Sequence, residues 1–203
     1  VRPLSVGLGA NQWRPSDAWP PAETTHERLC LTKSLLADCN RETDAATTTF
    51  TADPNKPVVD PYGTFAPNDL QQLADRDDVI VFDSAPLEEA ITVAGNSRAR
   101  LFVSCDCADF DLWVRLMDVH PDGRAINLMS PGADVQRVSL RDNSTEPQLL
   151  EAGEVYVVNI DGLLTANRFE VGHKIRIQVS ASYAPFLSRN LQTGESEIWS
   201  SKS

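Results

Sequence analysis

Four aspartates crowd one stretch of the chain, Asp109, Asp111, Asp118 and Asp122, with His120 and Arg124 among them. Carboxylates at i and i+2 on a strand share one face, and oxygen clusters of that kind hold calcium or move protons. The spacing is not that of an EF-hand loop, and strand-end aspartates commonly accept from backbone donors and arginines instead. The expectation is that Asp109, Asp111, Asp118 and Arg124 are internal hydrogen-bond partners that fix turns. No metal and no other cofactor is expected.

Nucleophilic chemistry fares worse. A serine hydrolase of the α/β type carries its nucleophile on a strained elbow written G-x-S-x-G, and that pattern does not occur here. Of the histidines, His26 lies among Thr and Glu, His120 precedes Pro121, and His173 follows Gly172 at the start of a strand. None is assigned as a base, and no catalytic residue is expected in this chain. Gly7-Leu8-Gly9 lacks the third glycine of a dinucleotide loop. Asn143-Ser144-Thr145 matches the glycosylation sequon.

The cysteines are Cys30, Cys39, Cys105 and Cys107. Cys105 and Cys107 do not have the C-x-x-C spacing of zinc or thioredoxin-like sites. They read as small buried hydrophobes on one face of a strand. Cys30 and Cys39 flank a plausible strand and turn, so a bridge between them stays open beside two free thiols. The cysteines do not fix a compartment, and the cytoplasm is slightly favoured.

The elements that must carry these residues are strands. Segments 4–8, 28–36, 47–51, 79–82, 87–93, 98–105, 112–119, 124–129, 154–160 and 173–182 hold β-branched or alternating apolar residues, with turn residues between them. Ile175, Ile177 and Val179 read inward, against Lys174, Arg176 and Gln178 outward. In 109–127, Trp113, Arg115 and Met117 alternate with Leu112, Val114 and Leu116, and Pro121-Asp122-Gly123 breaks the run into a hairpin. A short helix is expected only over 68–75. Pro54, Pro57, Pro61, Gly63 and Pro67 make 52–67 a long loop. A second proline-rich stretch, 15–21, lies beside Trp13 and Trp19.

A length of 203 residues fits one all-β domain. Lys and Arg total 18 against 29 Asp and Glu, a net charge of −11, which makes nucleic acid and anionic membrane surfaces poor partners. No apolar run approaches the ~20 residues needed to span a bilayer. The chain opens Val1-Arg2-Pro3 without a leader and reads as a piece of something longer.

Several motifs then carry a resemblance. Asp109-x-Asp111 and a strand are followed by Asp118-Val119-x-Pro121-Asp122-Gly123-Arg124-Ala125. Upstream lie Gly9-Ala10-Asn11-x-Trp13-Arg14, Trp19-Pro20, Asp53-Pro54-x-x-Pro57-Val58, Arg76-Asp77-Asp78-Val79 and Ser84-x-Pro86-Leu87. Downstream lie Glu151-x-Gly153-Glu154-Val155-Tyr156, Thr165-Ala166-Asn167-x-Phe169, Gly172-His173-x-Ile175-Arg176 and Pro185-x-x-x-Arg189-Asn190-x-x-Thr193-Gly194. In this order they resemble the C-terminal β-domain of the X-Pro dipeptidyl peptidase and cocaine-esterase family of serine hydrolases. The segment 132–140 departs from the family's arginine-rich pattern, and Ala152 stands where proline is usual.

The resemblance implies a jelly-roll β-sandwich, similar in fold to galactose-binding modules, as a single domain over 1–203. It implies an upstream α/β-hydrolase domain with the catalytic Ser, Asp and His, and a helical cap, neither of them in this chain. The β-domain of such an enzyme packs on both and helps to wall the active site, whose substrate is an ester or an X-Pro peptide. Tyr62 and Phe65, on the loop 61–67, either face that pocket or plug the end of the sandwich. Family members continue beyond the point matching Ser203 with a further strand. Its absence would leave an open sheet edge through which a homo-oligomer could form. The alternative is a stand-alone carbohydrate- or protein-binding jelly-roll module, for which Trp13, Trp19, Trp113 and Trp199 are the candidate platform.

Overall fold

Every residue of the strand Asp111–Val119 is buried, and the rest of the molecule is organised around it. The computed structural model describes residues 2–6, 12–33, 35–39, 46–63, 67–128 and 134–195. Within these, the strands in chain order are β1 (Arg2–Val6), β2 (Gln12–Ser16), β3 (Leu29–Thr32), β4 (Leu35–Asp38), β5 (Val79–Asp83) and β6 (Ile91–Val103). They continue as β7 (Asp111–Val119), β8 (Ala125–Asn127), β9 (Asp134–Arg137), β10 (Tyr156–Phe169) and β11 (Lys174–Ser180).

The large sheet has the order β3-β4-β5-β11-β7-β8, with β9 also paired to β7. Its ladders are antiparallel, apart from one parallel pairing of Leu35 with Asp83 between β4 and β5. β6 and β10 form a separate antiparallel ribbon whose register shifts between Ile160 and Leu163. β1 and β2 form a further hairpin.

Two cores follow from the two-residue period of β7. Leu112, Val114 and Leu116 face the ribbon and pack with Phe82, Val179, Val158, Ile160 and Leu163. Trp113, Met117 and Val119 face the other way, against Val58, Leu70, Leu73, Ala125 and Tyr183. Each such aliphatic side chain removed from water contributes about 1.5–3 kcal/mol, so neither face of β7 is dispensable. The all-β expectation holds.

Several details depart from the sequence reading. The segment 28–36 is two strands, because Lys33 adopts a positive φ of 50° and turns the chain between β3 and β4. Residues 91–93 and 98–103, read as parts of two strands, belong to one, β6, whose polar middle lies in a ribbon with one solvent-facing side, while 87–90 and 104–105 lie outside it. Residues 47–51 form no strand. The helix expected over 68–75 is only a 3₁₀ turn, Gln71–Asp75. Asn68 and Leu70 bond instead to Asn127 and Ala125 of β8, and the Asp69 carboxylate accepts from the Ala125 N–H, which leaves too little chain for an α-helix. The face of β11 read as outward is covered only toward its C-terminal end: Gln178 is fully buried, beside the core of Val58, Tyr183 and Phe186, while the Lys174 side chain stays 38% exposed.

The cysteine reading is also corrected. Cys105 and Cys107 lie beyond the end of β6, in a bend, and are joined to each other. The bend brings their Cα atoms to 5.3 Å, inside the range a disulfide bridges. Cys30 and Cys39 are also joined, across the β3–β4 hairpin, with Cα atoms 5.0 Å apart.

Candidate functional site

Beneath the proline-rich loop lies a buried polar chain. Arg115 of β7 is wholly buried, and its NH1 and NH2 groups donate to the Ser180 Oγ of β11 at 3.2 Å. NH1 also reaches Gln178 Oε1 at 3.3 Å. The guanidinium lies over the Tyr183 ring, and the Tyr183 hydroxyl donates to Asp60 Oδ2. Asp60 Oδ1 in turn accepts from the backbone N–H groups of Tyr62 and Gly63 at 2.7 and 2.8 Å. Loss of solvent lowers the Arg115 pKa to about 10. Burial and the bond to Asp60 push the Tyr183 phenol well above its ordinary value. The chain holds the loop from below and leaves the Tyr62 side chain 48% exposed.

The aspartates that suggested one oxygen cluster are split between three places. Asp109 and Asp111 sit at the start of β7, where Asn190 Nδ2 bridges them at 3.1 and 3.0 Å. Arg137 Nε pairs with Asp111 at 3.0 Å, and the Ser139 N–H donates to Asp109 at 2.9 Å. Asp118 lies at the far end of that nine-residue strand, roughly 20 Å away at the rise of an extended chain. Asp122 is in the hairpin turn, where Arg124 Nε donates to it at 2.8 Å and holds its carboxyl below the ordinary range. The four therefore form no calcium site together.

Asp118 has different neighbours. Its Oδ1 is 2.8 Å from His173 Nδ1, and Asn167 Nδ2 donates to its Oδ2 at 3.4 Å. His173 stacks on His120, with ring centroids 4.3 Å apart. The pairing of Lys174 with Val119 explains this, since it carries His173 opposite His120 one step beyond the ladder. A carboxylate–imidazole pair is two-thirds of a hydrolytic triad, but three of the described serine hydroxyls have partners elsewhere. Ser84 Oγ serves Ala85 and Ile175, Ser180 Oγ serves Arg115 and Ser182, and Ser144 Oγ serves Glu146.

The remaining candidates divide. Tyr62 lines a shallow cavity of about 280 Å³ with Asp69, Gln71, Gln72 and Asp75. Phe65 and Trp199 lie outside the described residues, as does the side chain of Trp13. Trp19 is 42% exposed, whereas Trp113 is in the core, so these two form no joint sugar platform. His26 is exposed. Sequence reasoning missed the Arg115–Tyr183–Asp60 chain and the meeting of His120 with His173. The signal for the second was the strand pairing, which carries no local motif.

The chain matches the family described as X-Pro dipeptidyl-peptidase C-terminal non-catalytic domain over residues 5–203. It is 36% identical to the cocaine esterase of Rhodococcus sp. (strain MB1 Bresler), covering 92% of this chain and 35% of the esterase. An aminopeptidase from the marine sediment archaeon Thaumarchaeota archaeon superposes with a TM-score of 0.76 at 30% identity, over 93% of this chain and 34% of its own. An α-amino acid ester hydrolase superposes with a TM-score of 0.77 at 25% identity, over 91% and 34%. The chain thus spans about a third of the length of each of these relatives. Matched over nearly all its length, the chain belongs to the X-Pro dipeptidyl-peptidase C-terminal non-catalytic domain family.

Proposed function

We propose that this chain is the C-terminal domain, a single jelly roll over 1–203, of a serine hydrolase that cleaves ester or X-Pro peptide bonds. In this reading it packs on an α/β-hydrolase domain and cap of the same protein and helps to wall their active site, while contributing no catalytic residue. The observation that carries the reading is the presentation of Tyr62. A half-exposed aromatic on a loop pinned from the core, by Asp60, Tyr183 and Arg115, is a preorganised contact rather than a loose surface residue. Tyr62, and Phe65 beside it in sequence, would face the catalytic domain.

The test is Tyr62→Ala in the intact hydrolase, assayed on p-nitrophenyl esters and X-Pro anilides. A contact at the pocket wall gives a several-fold fall in kcat/KM with the thermal midpoint of this domain unchanged. Unaltered kinetics on both substrate types, with unaltered protease resistance at the domain junction, would remove Tyr62 from the interface.

A further inference from the structure

We infer that Asp118, His120 and His173 form a binding site for one divalent transition-metal ion of the zinc type. One ligand atom from each, a carboxylate oxygen and two ring nitrogens, lie within 4.8 Å of one another. Zinc bonds of about 2.0–2.2 Å in tetrahedral geometry place donors roughly 3.4 Å apart. His173 Nδ1 and Asp118 Oδ1 stand at 2.8 Å, a hydrogen-bond distance, so an ion would replace the shared proton and part the two atoms by about 0.6 Å. The remaining closure falls on His120, a partly exposed side chain in the hairpin turn between β7 and β8.

The donor set selects the ion. Calcium and magnesium take oxygen ligands, and two imidazoles with one carboxylate suit zinc and its neighbours. The carboxylate is fixed from behind, with Asn167 Nδ2 on its second oxygen, as the ligands of metal centres usually are. Asp118 is buried and both rings are partly exposed, so an ion would rest on Asp118 with a coordination position open to water. The net charge of −11 favours cation uptake.

Besides that hydrogen bond, a second group competes with an ion. Arg124 NH2 stands 3.3 Å from His120 Nδ1, and an arginine can only donate, so it meets the lone pair an ion would use. Arg124 is half-exposed and also paired with Asp122, so it can swing aside at little cost.

The experiment is metal content and cobalt spectroscopy on the intact protein, stripped with chelator and then titrated with Zn²⁺ or Co²⁺ alone. Wild type should take up one ion per chain more than His120→Asn, a turn variant whose folding is checked by circular dichroism. The cobalt difference spectrum should show nitrogen and oxygen ligation without a thiolate charge-transfer band. Arg124→Ala should bind several-fold more tightly. Equal metal content in wild type and His120→Asn would overturn the site, as would a thiolate band in the difference spectrum or weaker binding by Arg124→Ala.

Discussion

The guanidinium carbon of Arg115 lies 3.8 Å from the centroid of the Tyr183 ring, with both residues sealed from solvent. This contact joins the central strand to the loop that carries Tyr62. A buried cation is costly unless its surroundings answer it. Here the answer is spread over a ring face, the Ser180 hydroxyl, the Gln178 amide oxygen and, through the Tyr183 hydroxyl, the Asp60 carboxylate. Arg115 Nε and Gln178 Nε2 still find no hydrogen-bond partner among the described residues. The cluster is therefore a positional lock that costs some of the stability an apolar packing would supply.

Arg115→Ala should destabilise the fold by about 3–5 kcal/mol, because it opens a cavity and strands the groups around the guanidinium. Arg115→Met should cost much less, since it fills most of the volume and removes a charge that had to be desolvated. Urea unfolding of the two variants beside wild type measures the difference. Equal losses would mean that the polar contacts of the guanidinium, and not the volume it fills, set stability at this position.

Tyr183→Phe should change the alkaline limb of stability. The folded chain keeps the Tyr183 proton above pH 10, the ordinary value at which the unfolded chain gives it up. Stability from this group is present below pH 10 and is lost as pH rises through the raised folded value, at about 1.4 kcal/mol per pH unit. Arg115 works in the opposite sense, since its folded pKa of about 10 lies below its ordinary value, so its burial penalty shrinks as pH rises above 10. The advantage of wild type over Tyr183→Phe should therefore narrow steadily above pH 10. Unfolding free energies measured across that range, together with phenolate absorbance, provide the check.

Asp60→Ala should loosen the loop more than the sheet. It leaves the Tyr183 hydroxyl and the N–H groups of Tyr62 and Gly63 without their acceptor, at about 1–3 kcal/mol for each group that water cannot reach. Hydrogen exchange should accelerate at Tyr62 and Gly63 while β7 and β11 keep their protection. Uniform acceleration across both strands would show that Asp60 supports the whole core.

What could be read from the residues divides along the range of the interactions. Ile175, Ile177 and Val179 announced a strand and its inner face, because alternation is local. The outer face of that strand misled toward its C-terminal end: Gln178 has a surface composition, and only its place beside the core of Val58, Tyr183 and Phe186 buries it. Asp109 and Asp111 lie near Asp118 in sequence, yet an extended strand carries them to the other end of the sheet. His120 and His173 lie far apart in sequence and meet through register alone. Cys105 was misread because β6 stops at Val103, and strand ends are the least local feature of a strand.

The two disulfides should differ in worth according to the loops they close. The Cys30–Cys39 bridge has a sequence separation of 9, which in the chain-entropy account is worth about 2.6 kcal/mol. With a separation of 2, Cys105–Cys107 restrains little of the unfolded chain and should contribute about 1.2 kcal/mol. Position sharpens the contrast, because the first bridge ties β3 to the end of β4, at the sheet edge, and β4 joins β5 through a single residue pair. Cys30→Ser with Cys39→Ser should therefore lower stability by about twice the effect of Cys105→Ser with Cys107→Ser, and should expose β3 and β4 first to proteolysis. Thiol titration of unreduced protein should find no free cysteine among the four. A larger loss from the second pair would show that the bend after β6, rather than the edge hairpin, is where a covalent tie is needed.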